Sequence, residues 1–259
     1  MKTRIALSFA LAAGMAFGQA QPKPKSQKEQ EALIAIQNAP DPDARIAAIE
    51  NLLTKFADTE YKVLVLQMAA ASAQQKNDVE KMVIYSERTL EADPKSYPAM
   101  LMIAQALSTR TREFDLDKEE KLTKADKYAK EAIELVKTAT KPRPDIPDAE
   151  WENIKKSYTA QGYEALGLSA MVRKKFDVAA TNFQAAIDAS PDASTMVRLA
   201  AAYNQSGQPD QAITVLDKIN TLPEVHPAVK SAAAQERNTA VKLKGGAAKP
   251  AAPPTEPAK

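Results

Sequence analysis

The chain has one histidine, His226, and no cysteine among its 259 residues. A catalytic histidine needs a nucleophile or carboxylate partner, and zinc is usually held by several histidines or cysteines. One imidazole and no thiol assemble neither. His226 stands directly before Pro227, where a helix is expected to begin, and reads as a surface or capping residue. Asp115, Asp117, Glu119 and Glu120 crowd together like a calcium loop. The glycine and the spaced bidentate glutamate of an EF-hand are missing, so these acids read as a solvated helix start. Asp148, Glu150 and Glu152 read the same way. Lys118, Lys121, Lys124, Lys127 and Lys130 recur every three residues, as a nucleic-acid stripe would. Glu119, Glu120, Asp126 and Glu131 interleave with them, which makes a mixed salt-bridging face instead. No phosphate-cradling glycine motif is present. These residues predict no catalytic site, no metal and no cofactor.

The elements that would position any site are helices. The chain is 44% hydrophobic and 26% charged, and of its seven glycines only Gly162, Gly167 and Gly207 lie between residues 20 and 244. Such glycine-poor, Ala/Glu/Lys/Gln-rich composition predicts an all-α protein. The N-terminus carries Lys2 and Arg4, then an apolar run from Ile5 to Phe17, then the small residues Gly18 and Ala20. That order predicts a signal peptide over 1–20, a mature start at Gln19 or Gln21, and export to the periplasm or cell exterior. No second apolar run approaches the roughly 20 residues of a membrane span. Removing Lys2 and Arg4 takes the formal charge from +2 to about zero, leaving no electrostatic footprint for nucleic acid.

In order, residues 21–26 read as a disordered linker. Helical patterning begins near Ser26 with Leu33, Ile34 and Ile36, and stops at Pro40-Asp41-Pro42. Asp43 is expected to cap the next helix, which carries Ile46, Ile49, Leu52, Leu53 and Phe56. Residues 60–75 form an apolar helix, Asn77-Asp78 a turn, and a second helix ends at Pro94. Another pair runs from Tyr97 to Ser108 and from Lys118 to Thr138, with Ala125, Ala129, Ala132 and Ile133 packing. The roughly 11 extra residues between them predict longer helices or a protruding loop. A proline-rich break, KPRPDIP over 141–147, precedes Asp148 as N-cap and a helix reaching Arg173. Trp151 is expected to pack that break against this helix rather than to serve as an exposed anchor. A last hairpin ends near Pro223, a closing helix spans 226–243, and the Ala/Pro/Lys tail over 244–259 reads as disordered.

One stretch carries a recognisable motif. Between Ala160 and Ala193 stand Tyr163-x2-Leu166-Gly167, then Phe176, Ala179-x3-Phe183, Ala186-Ile187 and Pro191. It resembles a tetratricopeptide (TPR) repeat, a 34-residue helix–turn–helix unit, except at Ala170, where that family usually carries tyrosine. Leu199-Ala200-x2-Tyr203, Gly207 and Ala212-x3-Leu216 form a second such unit. With Pro94 as the terminal proline, Ala69-Ala70 and Met82 fall loosely into the same pattern. Gly167 is expected to lie against Ala179, and Gly162 to face outward.

The resemblance implies a right-handed α-solenoid of about five hairpins plus a C-terminal capping helix. Degenerate repeats would fill 27–141, and better ones 148–243. It also implies a non-enzymatic scaffold whose concave groove takes a protein or peptide partner. Carried over by position, the groove would include Gln67, Ala71, Gln74, Gln75, Ala99, Ile103, Glu164, Leu168, Met171, Val197, Ala201, Asn204 and Gln205. The Lys/Asn clamp that some TPR proteins use for a terminal carboxylate has no counterpart here. The rival reading is an exported helical toroid, an enzyme or small-ligand binder, for which only Tyr158, Tyr163 and Glu164 offer inner-face chemistry. A structural spacer that positions the tail is the third.

Overall fold

Helix α1 (Gln27–Gln37) begins at a reciprocal cap. Ser26 Oγ accepts the Glu29 N–H at 3.2 Å, and the Glu29 carboxylate turns back to accept the Lys25 N–H at 2.5 Å. The same carboxylate accepts the Thr59 hydroxyl at 2.6 Å, so it is satisfied although Glu29 is 1% exposed. The Tyr61 hydroxyl donates to the Pro22 carbonyl at 2.6 Å, and Lys25 Nζ reaches Asp58 at 2.7 Å. Residues 22–26 are therefore fastened down rather than disordered, because they supply the cap and two anchors to the loop before the second hairpin.

The computed structural model describes residues 22–219 and 221–246; the expected leader over 1–20 lies outside them, and of the tail expected over 244–259, residues 244–246 continue the last helix while the rest lies outside. Among the described residues there are eleven helices and no strand. After α1 come α2 (Pro42–Lys55), α3 (Lys62–Gln75), α4 (Val79–Ala92), α5 (Tyr97–Arg110) and α6 (Lys118–Lys137). Then follow α7 (Asp148–Val172), α8 (Phe176–Ala189), α9 (Ala193–Gln205), α10 (Pro209–Ile219) and α11 (Pro227–Gly246). Each helix packs on the next, and α7 also reaches α5 while α11 reaches α9. The result is five hairpins in series with a closing helix.

Three hairpins turn in the same way. Asn77, Lys174 and Gly207 take φ of 58°, 60° and 75°, the left-handed region. In each case the next residue donates back to a carbonyl five positions earlier: Asp78 to Ala73, Lys175 to Ala170 and Gln208 to Tyr203, at 2.8–2.9 Å. Those bonds satisfy carbonyls that the first helix leaves open, as in a Schellman turn. Two expected caps are corrected. Asp41, not Asp43, caps α2 by accepting the Ala44 N–H at 2.8 Å, because Pro42 at the first turn has no N–H to spare. Pro147 occupies the α7 cap without a side-chain bond, and Asp148 pairs with Lys141 at 2.5 Å instead.

The core is divided along the array. Leu33, Ile36, Ile49, Leu52, Val65, Leu66 and Met82 fill the first two hairpins. Phe183, Leu199, Leu216 and Ile219 fill the last two beneath α11, with Ala179, Ala200 and Ala212 at the closest approaches. Full burial of each large side chain contributes about 1.5–3 kcal/mol. A thin layer of Ala104, Ala129 and Ala165 lets α5, α6 and α7 meet between the two. Trp151 is 5% exposed and donates Nε1–H to the Ala139 carbonyl at 3.2 Å, which fixes the break to α7 as expected. The extra residues both lengthen α6 to 20 residues and form the 111–117 loop.

Two glycine readings change. Gly162 is buried, and a Cβ there would fall 2.6 Å from Ile133 Cγ1 and 3.3 Å from the Ala129 carbonyl. That flank of α7 packs on Ile133 and Ala129 of α6, so the position faces the preceding helix rather than solvent. Gly167 is close-packed as expected, but it is the Phe183 ring, rather than Ala179, that an added Cβ would meet first, at 2.5 Å.

Candidate functional site

The candidate site is the side of the array formed by the first helices, α3, α5, α7 and α9. Side chains three and four residues apart share a helix face. On α3 that face presents Gln67 and Ala71 half-buried, then Gln74 and Gln75 exposed. On α7 it presents Gln161 exposed and Glu164, Leu168 and Met171 half-buried; on α9, Val197 and Ala201 half-buried and Gln205 exposed. The groove residues inferred for α5 are not on it. Ala99 is 2% and Ile103 0% exposed, because α5 starts at Tyr97 and turns those positions into the interior. Pro98, Met102 and Gln105 hold the outer side of α5 instead.

Asn204 also leaves the face. It is 5% exposed, and its Nδ2 donates to the Glu236 carbonyl at 3.0 Å and to its Oε2 at 2.8 Å. Helix α11 thus covers the end of α9. Gln67 is partly engaged as well, since its Nε2 donates to Ser96 Oγ at 3.0 Å and ties α3 to the start of α5.

The face carries one ion pair, Glu164 of α7 with Arg198 of α9. The positional reading included Glu164 but missed Arg198, and no local signal joins residues 34 positions apart. The inner-face tyrosines do not build a pocket. Tyr158 stands edge-on to Tyr97, with centroids 5.2 Å apart and planes at 72°. Burial, with Tyr158 adding to it, pushes the Tyr97 phenol up to about 12. The face therefore offers amide donors and acceptors, methyl and thioether surface, and a neutralised ion pair. These groups can hold a main chain but supply no nucleophile–base pair. Among the described residues no group of three His, Asp or Glu side chains could hold a metal ion.

Neither a known protein family nor a curated protein matches the chain by sequence. Solved structures match it by fold. A thermophilic TPR protein of Thermus thermophilus superposes over 80% of this chain and 98% of its own, with a TM-score of 0.54 at 15% identity. The fold is TPR-like. A MamA fragment from Desulfovibrio magneticus covers 76% of this chain and 96% of its own, with a TM-score of 0.49 at 15% identity. A tetratricopeptide repeat protein from Parabacteroides merdae covers 87% and 95%, with a TM-score of 0.41 at 12% identity. In the TPR-like frame the three left-handed turns mark corresponding positions in three hairpins, and α11 occupies the place where a further hairpin would begin. No helix among the described residues is long and apolar enough to cross a membrane.

Proposed function

We propose that the protein is an exported interaction scaffold that holds an extended segment of a partner protein along the first helices. The TPR-like fold suggests a protein–protein interaction scaffold. The observation that supports the finer reading is the row of exposed glutamines, Gln74, Gln75, Gln161 and Gln205, with Glu164 and Arg198 cancelling between them. Glutamine both donates and accepts, as a peptide main chain does, so the face suits backbone recognition with little demand for charge. Export rests on the N-terminal order of charge, apolar run and small residues.

A photo-crosslinking residue at Gln161 or Gln205 tests the site, with the same residue at exposed Lys130 of α6 as control. In the producing cell, the first two positions are expected to trap one defined partner and the control none. Equal trapping at all three positions, or none, would overturn the reading. N-terminal sequencing of the protein recovered outside the cytoplasm is expected to begin at Gln19 or Gln21; an intact Met1 would sink the export claim.

A further inference from the structure

The second helices form a cleft of their own. It lies between α8 and α10, with Tyr203 of α9 at its floor, and has a volume of about 530 Å³. That lies inside the range of about 300–1,000 Å³ usual for ligand clefts. Asp177 and Asp188 stand at its two ends, and Gln184, Gln208 and Gln211 line the length between them. No lysine, arginine or histidine lines it.

Asp177 lies in the first turn of α8, where the helix dipole favours an acid, but neither it nor Asp188 is neutralised by a side chain among the described residues. Nearby Asp217 and Asp210 are paired with Arg237 and Lys244. Asp177 and Asp188 have no cationic partner among the described residues. Each is oriented by an amide: Gln208 Nε2 donates to Asp177 Oδ1 at 3.1 Å, and Gln184 Nε2 to Asp188 Oδ1 at 2.7 Å. In both cases the second oxygen stays available. Eleven residues apart, they lie on one side of α8, separated by about 16 Å along its axis.

We infer that this cleft is a second binding site, which takes an extended basic peptide with two cationic side chains on one edge. In an extended chain, residues four apart point the same way and are about 13 Å apart; flexible lysine stems span the rest. The glutamines decide between a peptide and a small polyamine. Gln211 and the second N–H of Gln184 present donors and the amide oxygens acceptors, which a main chain matches, whereas a polyamine only donates. The site is separate from the first-helix face and does not depend on that face being occupied.

The test is fluorescence anisotropy with a labelled octapeptide of alanine, serine and glutamine, carrying lysines at positions 2 and 6. Binding is expected, weakening as salt rises and lost when both lysines become glutamate. Asp177→Asn combined with Asp188→Asn keeps the shape of two exposed side chains, so the fold survives, and should weaken binding at least tenfold. Glu131→Gln on α6, which removes an exposed acid outside both faces, should leave it unchanged. Unchanged affinity in the double variant overturns the inference, as does an equal loss of binding in Glu131→Gln. Equal affinity for a peptide with lysines at positions 2 and 3, or for spermidine in competition, would also overturn it.

Discussion

A Cβ atom placed on Gly162 of α7 would lie 2.6 Å from Cγ1 and 2.9 Å from Cδ1 of Ile133 on α6. Contacts that short force a shift, and Ile133 is 5% exposed with the Ala129 carbonyl closing the other side. Gly162 is a close approach between two long helices. The usual gain from replacing a mid-helix glycine, about 0.5–1 kcal/mol, is therefore outweighed.

Gly162→Ala is expected to destabilise by about 1–3 kcal/mol. Ile133→Ala alone should cost about 2–5 kcal/mol as a cavity, and the double variant less than the sum, since each relieves the other. Urea midpoints of the four proteins check this; strict additivity would remove the contact from the explanation. Gly167→Ala should cost a similar amount, because the new Cβ would fall 2.5 Å from the Phe183 ring, which is itself fully buried and has nowhere to swing.

The three matching turns give opposite expectations at two positions. Gly207 has φ of 75° with nothing within 4 Å of an added Cβ, so Gly207→Ala meets no clash and only the backbone cost of about 1–2 kcal/mol. Lys174 already bears that cost at φ of 60°. Lys174→Gly should stabilise by up to about 1 kcal/mol; its exposed pair with Glu113 contributes little. Thermal melts that moved both variants the same way would contradict the turn assignment.

Alkaline pH should loosen two places in the array. Burial and then the neighbouring Glu50 carboxylate push Tyr85 up to about 12, and burial with Tyr158 does the same for Tyr97. A phenol raised from its ordinary 10 holds its proton more tightly when folded. Its contribution is complete below about pH 10 and is lost as pH rises through 12. The Tyr85→Phe, Tyr97→Phe variant keeps both rings and removes both protons. Its urea midpoint should fall less steeply than the parent's across that window; parallel curves would count against the assignment.

The sequence carried the array through local signals. Alanines repeating at close-approach positions, Asn77 and Gly207 at turns, and prolines at 94, 147 and 191 each act within a few residues, and so were readable. The third left-handed turn was not, because a lysine there has no left-handed preference to betray it. The α5 register slipped, since Ala99 and Ile103 are as apolar as the residues beside them. Gly162 was misread because the helix it touches is the preceding α6, through Ile133 and Ala129, about 30 residues earlier in the chain. Arg198 opposite Glu164 and Glu236 over Asn204 are pairings between separate helices. Periodicity within one helix does not contain them.

Helix α7 has 25 residues and spans about 37 Å, nearly twice the length of its partner α8. Its second half belongs to the fourth hairpin, while its first half lies on the third, held by Trp151 and by Tyr158 against Tyr97. A stacked array normally flexes at every joint, like a spring. Here one rod bridges the middle joint as a splint, so bending and twisting are confined to the segments on either side. Each half can flex on its own side of this stiff centre, but the two cannot fold toward each other across it.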